Sequence, residues 1–186
     1  ADVLDLHYHK SSLLKEFQTI AGQIEEIEPK VLMIRDFQSR NILVNENDAV
    51  SFIDYQAAME GPAMYDAISF LYQAKANFPE DFKTEMLNYF ISLYQNEADM
   101  HQLKLSVKPL QLMRFLQVLG AYGLRGLVQR KPHFIQSLPQ GIKNLTEFAQ
   151  EWEQMQDFPE LRKVILQLGE DSIKEKIGEM LNLKST

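Results

Sequence analysis

The sequence predicts a mainly α chain carrying one small β-hairpin. Three observations predict it. Apolar residues recur at three- and four-residue intervals over most of the chain, the spacing of a buried helix face. Short apolar runs bracket a polar turn between residues 31 and 53, the mark of paired strands. The 186 residues, 45% of them hydrophobic, suffice for a buried core.

Residues 1–28 are expected to be helical, with Leu13, Leu14, Phe17, Ile20, Ala21, Ile24 and Ile27 on one face. Ser11 or Ser12 is the expected cap and Pro29 the stop. His7 and His9 alternate upstream, as a metal pair on a strand would. With no third ligand in sight, a solvated terminus is the preferred reading. Residues 31–34 are expected as a short buried strand or an extended lead-in, and residues 42–44 as the partner of 50–53 across the turn at 45–48. Gly61-Pro62 reads as a tight turn. Asp66 follows near the start of the next helix, where a carboxylate is stabilised by the helix dipole and can tie down loop amides.

Residues 67–76 form the next expected helix, broken at 77–80. Residues 80–94 resume it with Phe82, Met86, Tyr89, Phe90, Leu93 and Tyr94. Residues 96–106 read as a polar connection, after which Pro109 opens a helix reaching Arg130. Gly120, Gly123 and Gly126 thin one of its faces and predict close packing there. Residues 134–137 read as a turn or short helix. A new helix after Pro139 then carries Leu145, Phe148, Trp152 and Met155. Pro159 opens a helix that Gly169 ends. Residues 171–182 form a last amphipathic helix, expected to pack loosely.

The 19 basic and 26 acidic residues give a net charge of −7, which argues against a nucleic-acid partner bound by phosphate neutralisation. No dense Lys/Arg cluster marks a membrane-surface patch. The absence of cysteine excludes disulfides, thiolate zinc sites and cysteine nucleophiles, and it suits a reducing cytoplasm. No apolar run approaches the roughly 20 residues of a membrane span, and no secretory signal opens the chain.

The chemistry concentrates in residues 31–66. Asp36 and Asn41 straddle a polar loop, and Asp54 follows the second hairpin strand. Singly, each is an ordinary turn or strand-end residue. Together, in this order, they form the layout of a phosphoryl-transfer site: one carboxylate to orient an attacking hydroxyl, an amide oxygen and a second carboxylate to hold magnesium.

The segments Arg35-Asp36-Phe37-Gln38-Ser39-Arg40-Asn41-Ile42-Leu43-Val44, Phe52-Ile53-Asp54-Tyr55-Gln56 and Gly61-Pro62-Ala63-Met64-Tyr65-Asp66 resemble the aminoglycoside phosphotransferase and choline kinase group, small-molecule kinases with a protein-kinase-like fold. Within it they look most like the bacterial kinases that phosphorylate the anomeric hydroxyl of amino sugars. The resemblance implies Asp36 as catalytic base, Asn41 and Asp54 as magnesium ligands, Asp66 as the brace of the loop, and ATP as co-substrate. Arg40 is expected to pair with an acidic neighbour such as Asp66, or to touch phosphate. Gln38 and Gln56 are candidates for bonding a sugar hydroxyl.

Two departures stand out. Ile34 occupies the place of the group's usual His. The group's N-terminal lobe, with its phosphate-covering loop and strand-borne Lys, has no counterpart before residue 31. The chain is therefore expected to be a C-terminal lobe alone: catalytic loop and metal hairpin at 31–66, helical subdomain at 67–168, terminal helix at 171–182. By itself it is expected to be inactive, the missing N-terminal lobe and a small-molecule alcohol being its partners. These same departures support the alternative of a non-catalytic binding or adaptor module.

Overall fold

A computed structural model describes residues 4–73, 78–129 and 131–182. Ala76, Asn77 and Arg130, expected near segment ends, lie outside the described residues. The chain divides into two units, residues 21–111 and residues 1–20 with 112–186. Its elements are mainly helical, with small antiparallel strand pairs, as the patterning predicts.

The first unit holds the strands. β1 (Lys30–Met33) pairs antiparallel with β4 (Met59–Pro62), and β2 (Ile42–Val44) pairs antiparallel with β3 (Val50–Phe52). The β2–β3 hairpin is the predicted one. Its turn is built by Asn45, whose Oδ1 accepts the backbone N–H of Asn47 at 2.9 Å and of Ala49 at 3.0 Å. Asp48 takes the left-handed conformation there (φ 58°), which Asp tolerates better than most residues.

β4 corrects the sequence reading. Gly61-Pro62 is no turn; it is strand, with Val31 opposite Gly61 and Lys30 opposite Pro62. Pro is tolerated at the end of such an edge strand. Met33 lies over Gly61: a Cβ there would sit 2.2 Å from the Met33 methyl carbon, so a larger residue would require the end of that side chain to move. β1 is also not buried as expected. Leu32 is 73% exposed, and within β1 only Met33 is enclosed.

α2 (Tyr65–Leu71) buries Met64 at its cap and Ile68 completely. It stops at Leu71, earlier than the predicted helix. α3 (Glu80–Ser92) buries Leu87 and Ile91, while the expected Tyr89 and Leu93 stay exposed. α4 (Glu97–Tyr122) overturns two expectations: the polar stretch before Ser106 is helical, and Pro109 lies inside the helix rather than opening it. Asn96 caps it through the N–H of Ala98 at 2.9 Å. The apolar period runs through the polar residues, with Leu103, Ser106 and Leu110 all buried.

The second unit is helical. α1 (Lys10–Glu25) enters it from the N-terminal segment and begins before the expected cap; Leu13 N–H bonds His9 O at 3.0 Å. The terminus is tied down through its backbone, while the His7 and His9 side chains stay exposed, as a solvated terminus would have them. His7 N–H donates to Gln167 Oε1 at 2.9 Å, and Gln167 Nε2 returns a bond to His7 O at 2.8 Å. Among the described residues no group of three or more His, Cys, Asp or Glu gathers as a metal site. α4 continues into a π-helical segment, Gly123–Val128, where Gln129 N–H reaches Leu124 O at 3.0 Å. Close packing holds at Gly126, whose Cβ position is 3.1 Å from Ile135 N. Gly120 and Gly123 meet nothing within 4 Å; they border an apolar cleft of about 550 Å³ lined by Leu13, Phe17 and Leu116.

α5 (Pro132–Glu151) runs unbroken through Pro139, so the two predicted pieces are one helix ending before Trp152. α6 (Pro159–Leu168) starts and stops where predicted. α7 (Asp171–Asn182) packs more firmly than expected, with Ile173 and Ile177 buried among Ile135, Leu138 and Ile142.

Candidate functional site

The loop between β1 and β2 is built around the Asp36 carboxylate. A 3₁₀ turn, Ser39–Asn41, closes it, with Asn41 N–H bonding Gln38 O at 2.8 Å. Asn41 is 5% exposed, and its Nδ2 donates to Asp36 O at 2.8 Å and Asp36 Oδ2 at 3.1 Å. The amide nitrogen is thereby committed inward, which leaves its oxygen as the free end. Gln38 Nε2 donates to Asp36 Oδ1. Arg40 Nη2 lies 3.2 Å from Asp36 Oδ2, a pair with the Arg side chain 70% exposed. Arg40 therefore pairs with Asp36 and not with Asp66. An ion pair this open contributes little, on the order of 0–1 kcal/mol.

Asp66 stands in the first turn of α2. Its Oδ2 accepts the N–H of Ile34 at 2.6 Å, and its Oδ1 accepts that of Arg35 at 3.0 Å. The two bonds fix the backbone immediately before Asp36. Arg35 there holds a left-handed conformation (φ 69°), one that a bulky residue keeps only when its surroundings impose it. Ile34 brings no side-chain hydrogen bond, so the backbone bracket from Asp66 supplies the restraint in that stretch.

Asp54 joins the loop through the backbone. Ile53 N–H bonds Asn41 O at 3.0 Å, which sets the end of β3 beside the Asn41 turn. Asp54 is also left-handed (φ 64°), and its Oδ1 accepts Gln56 Nε2 at 2.9 Å. Gln38 and Gln56 each rest their amide nitrogen on a carboxylate, Asp36 and Asp54 respectively.

Phe37 is the residue that sequence reasoning passed over. Its ring centroid lies 5.6 Å from Phe52 of β3 and 5.6 Å from Phe70 of α2. Phe70 continues to Phe78 at 5.7 Å, and Phe78 to Phe82 at 5.3 Å. This aromatic row ties loop, hairpin and helix together under the polar residues. Its signal was an apolar residue inside an otherwise polar loop.

The donor set fits magnesium in kind. It consists of one amide oxygen and carboxylate oxygens, hard ligands of the number Mg²⁺ takes when phosphates and waters complete its shell. Asp54 Oδ2 has no other partner among the described residues. Clefts of about 770, 640 and 550 Å³ are lined by residues of the helical unit, and none includes a residue of 31–66. In the site Asn41 is buried, Asp36 half-buried and Asp54 exposed.

The loop of Asp36 and Asn41, the hairpin acid Asp54 and the bracing Asp66 thus lie on a mainly helical architecture. In comparison with known families, residues 5–105, more than half of the 186, match the sequence model of the phosphotransferase enzyme family, APH. The chain belongs to that family. No curated protein matches it. No helix among the described residues is long and apolar enough to cross a membrane.

Proposed function

We propose that this protein supplies the catalytic loop and metal hairpin of a cytoplasmic, ATP-dependent kinase whose acceptor is a hydroxyl of a sugar, amino sugar or similar alcohol. The observation that carries the reading is the pair of links through Asn41: its side chain is fixed on Asp36, and its carbonyl holds Ile53, the residue before Asp54. Amino sugars come from the resemblance of the three motif segments, and the net charge of −7 is compatible with a cationic acceptor.

Asp36 accepts the hydrogen bond of the acceptor hydroxyl, aligns its oxygen on the γ-phosphorus and takes the proton late, as the new O–P bond forms and the bond to the leaving ADP oxygen breaks. Asn41 Oδ1 and Asp54 Oδ2 are the atoms offered to Mg²⁺. That ion, when bound, neutralises charge on the phosphates. Asp66 keeps the backbone ahead of Asp36 in register. Arg40, loosely held on Asp36, gives way to the acceptor.

The test is phosphoryl transfer from ATP to a panel of amino sugars by the full product of the gene. Asp36→Asn is expected to lower kcat by about 10²–10⁴-fold with little change in nucleotide affinity. Asp54→Ala is expected to abolish Mg²⁺-dependent nucleotide binding. Wild-type levels of both in the variants would leave the adaptor reading in place.

A further inference from the structure

Two stretches of the site share a pattern that turn geometry does not require. Asp36-Phe37-Gln38 and Asp54-Tyr55-Gln56 are both Asp–aromatic–Gln. In each, the Gln Nε2 donates to Oδ1 of the Asp two residues before it. In each, a left-handed non-glycine residue stands at or next to the Asp, Arg35 in one and Asp54 in the other. At Asp36 the second oxygen is already shared by Arg40 and Asn41. At Asp54 the Gln56 amide is the one side-chain partner among the described residues.

We propose that Gln56 is a positioning residue for the metal-binding carboxylate. It occupies Asp54 Oδ1 and thereby presents Oδ2 to the cation. The inference rests on the phosphotransfer reading above and concerns how the site holds its metal. An exposed carboxylate on a strand end turns freely about its terminal torsion. One donor on one oxygen stops that rotation and favours single-oxygen ligation, the mode suited to the near-octahedral shell of Mg²⁺. The chemistry of the donor matters. Lys or Arg would hold the carboxylate too, but would place a positive charge beside the cation. An amide restrains the carboxylate and leaves its charge intact.

The experiment measures binding of adenylyl imidodiphosphate to the full gene product as Mg²⁺ is titrated. Three variants are compared: Gln56→Met, which removes the donor at similar length; Gln56→Lys, which keeps a donor but adds charge; and Asp54→Ala. Gln56 is exposed, so none of its variants is expected to unfold the chain. Half-saturating Mg²⁺ should rise about 10-fold in Gln56→Met, the scale for losing an outer-shell partner. It should rise further in Gln56→Lys. In an Asp54→Ala background, Gln56→Met should have no further effect. An unchanged Mg²⁺ dependence in Gln56→Met, or a wild-type value in Gln56→Lys, overturns the proposal. So does a raised acceptor KM in Gln56→Met with the Mg²⁺ dependence unmoved, which would make Gln56 a sugar reader. If Asp54→Ala itself binds the nucleotide like wild type, the phosphotransfer reading fails instead, and the two failures are told apart by that variant.

Discussion

The helices of one unit and the strands of the other use apolar residues differently. Among the helices Ile135, Leu145, Ile165 and Ile177 are each 2% exposed or less, although Leu14 and Leu124 stay more than half exposed. Along the strands and site loop Leu32, Val44, Val50 and Tyr55 are each more than half exposed, while Met64 and Ile68 of the same unit are fully buried. Apolar burial holds the first. The second keeps its site in shape with directional contacts: the two strand ladders, the Asn45 turn, the Asp66 bracket and the row of rings from Phe52 to Phe82. The loop around Asp36 is built from polar atoms whose partners are fixed by backbone.

The sharpest way to break this comparison is to truncate one apolar residue in each unit. Leu145→Ala, at 1% exposure, should cost about 2–5 kcal/mol in a denaturant titration. Leu32→Ser, at 73% exposure, should stay within about 0.5 kcal/mol. Equal losses would mean that the strand unit is also held by burial.

The same contrast explains what the sequence showed. Periodicity reports burial, so α6 and α7 were legible to the residue, and the β2–β3 hairpin announced itself through its Asn/Asp turn. It failed where burial and polarity part company. α4 carries Lys104, Ser106 and Lys108 on helical backbone, and its apolar period is hidden among them. Pro109 and Pro139 are ordinary stop signals that tertiary packing overrides. β4 went unread because Gly61 and Pro62 look like a turn until Met33 is seen to lie over Gly61. In the site, the order of Asp36, Asn41 and Asp54 was visible because spacing is a property of sequence. The partners of Arg40, Gln38 and Gln56 were not, since each depends on which carboxylate the fold brings nearest.

Asp66 tests the polar half of the comparison on a smaller scale. Asp66→Ala strips the acceptor from two backbone N–H groups at once and should cost about 1–3 kcal/mol. Amide exchange at Ile34 and Arg35 should quicken more than at Ile135 or Ile142. Asp66→Asn, which keeps one acceptor oxygen, should fall between the two. Uniform quickening across both units would show that the bracket serves global stability and not the loop.

The smallest effect lies where the helical unit itself turns to polar contacts. Glu160 opens α6, and its Oε1 accepts the His9 N–H at 2.6 Å. That bond holds the Glu160 carboxyl below the ordinary value of 4.5; burial opposes it, and Lys163 at 3.3 Å adds a smaller pull downward. A carboxylate whose pKa is lowered by folding stabilises the fold above its unfolded pKa. That contribution fades as pH falls from about 4.5 through the lower folded value, since the unfolded chain then binds the proton more readily. Glu160→Gln keeps an acceptor for His9 but cannot titrate. Wild type should therefore exceed Glu160→Gln in denaturation midpoint at pH 6, and the gap should narrow or vanish by about pH 3. A gap that stays constant or widens on acidification would mean that the charge of Glu160 contributes nothing to holding the terminus.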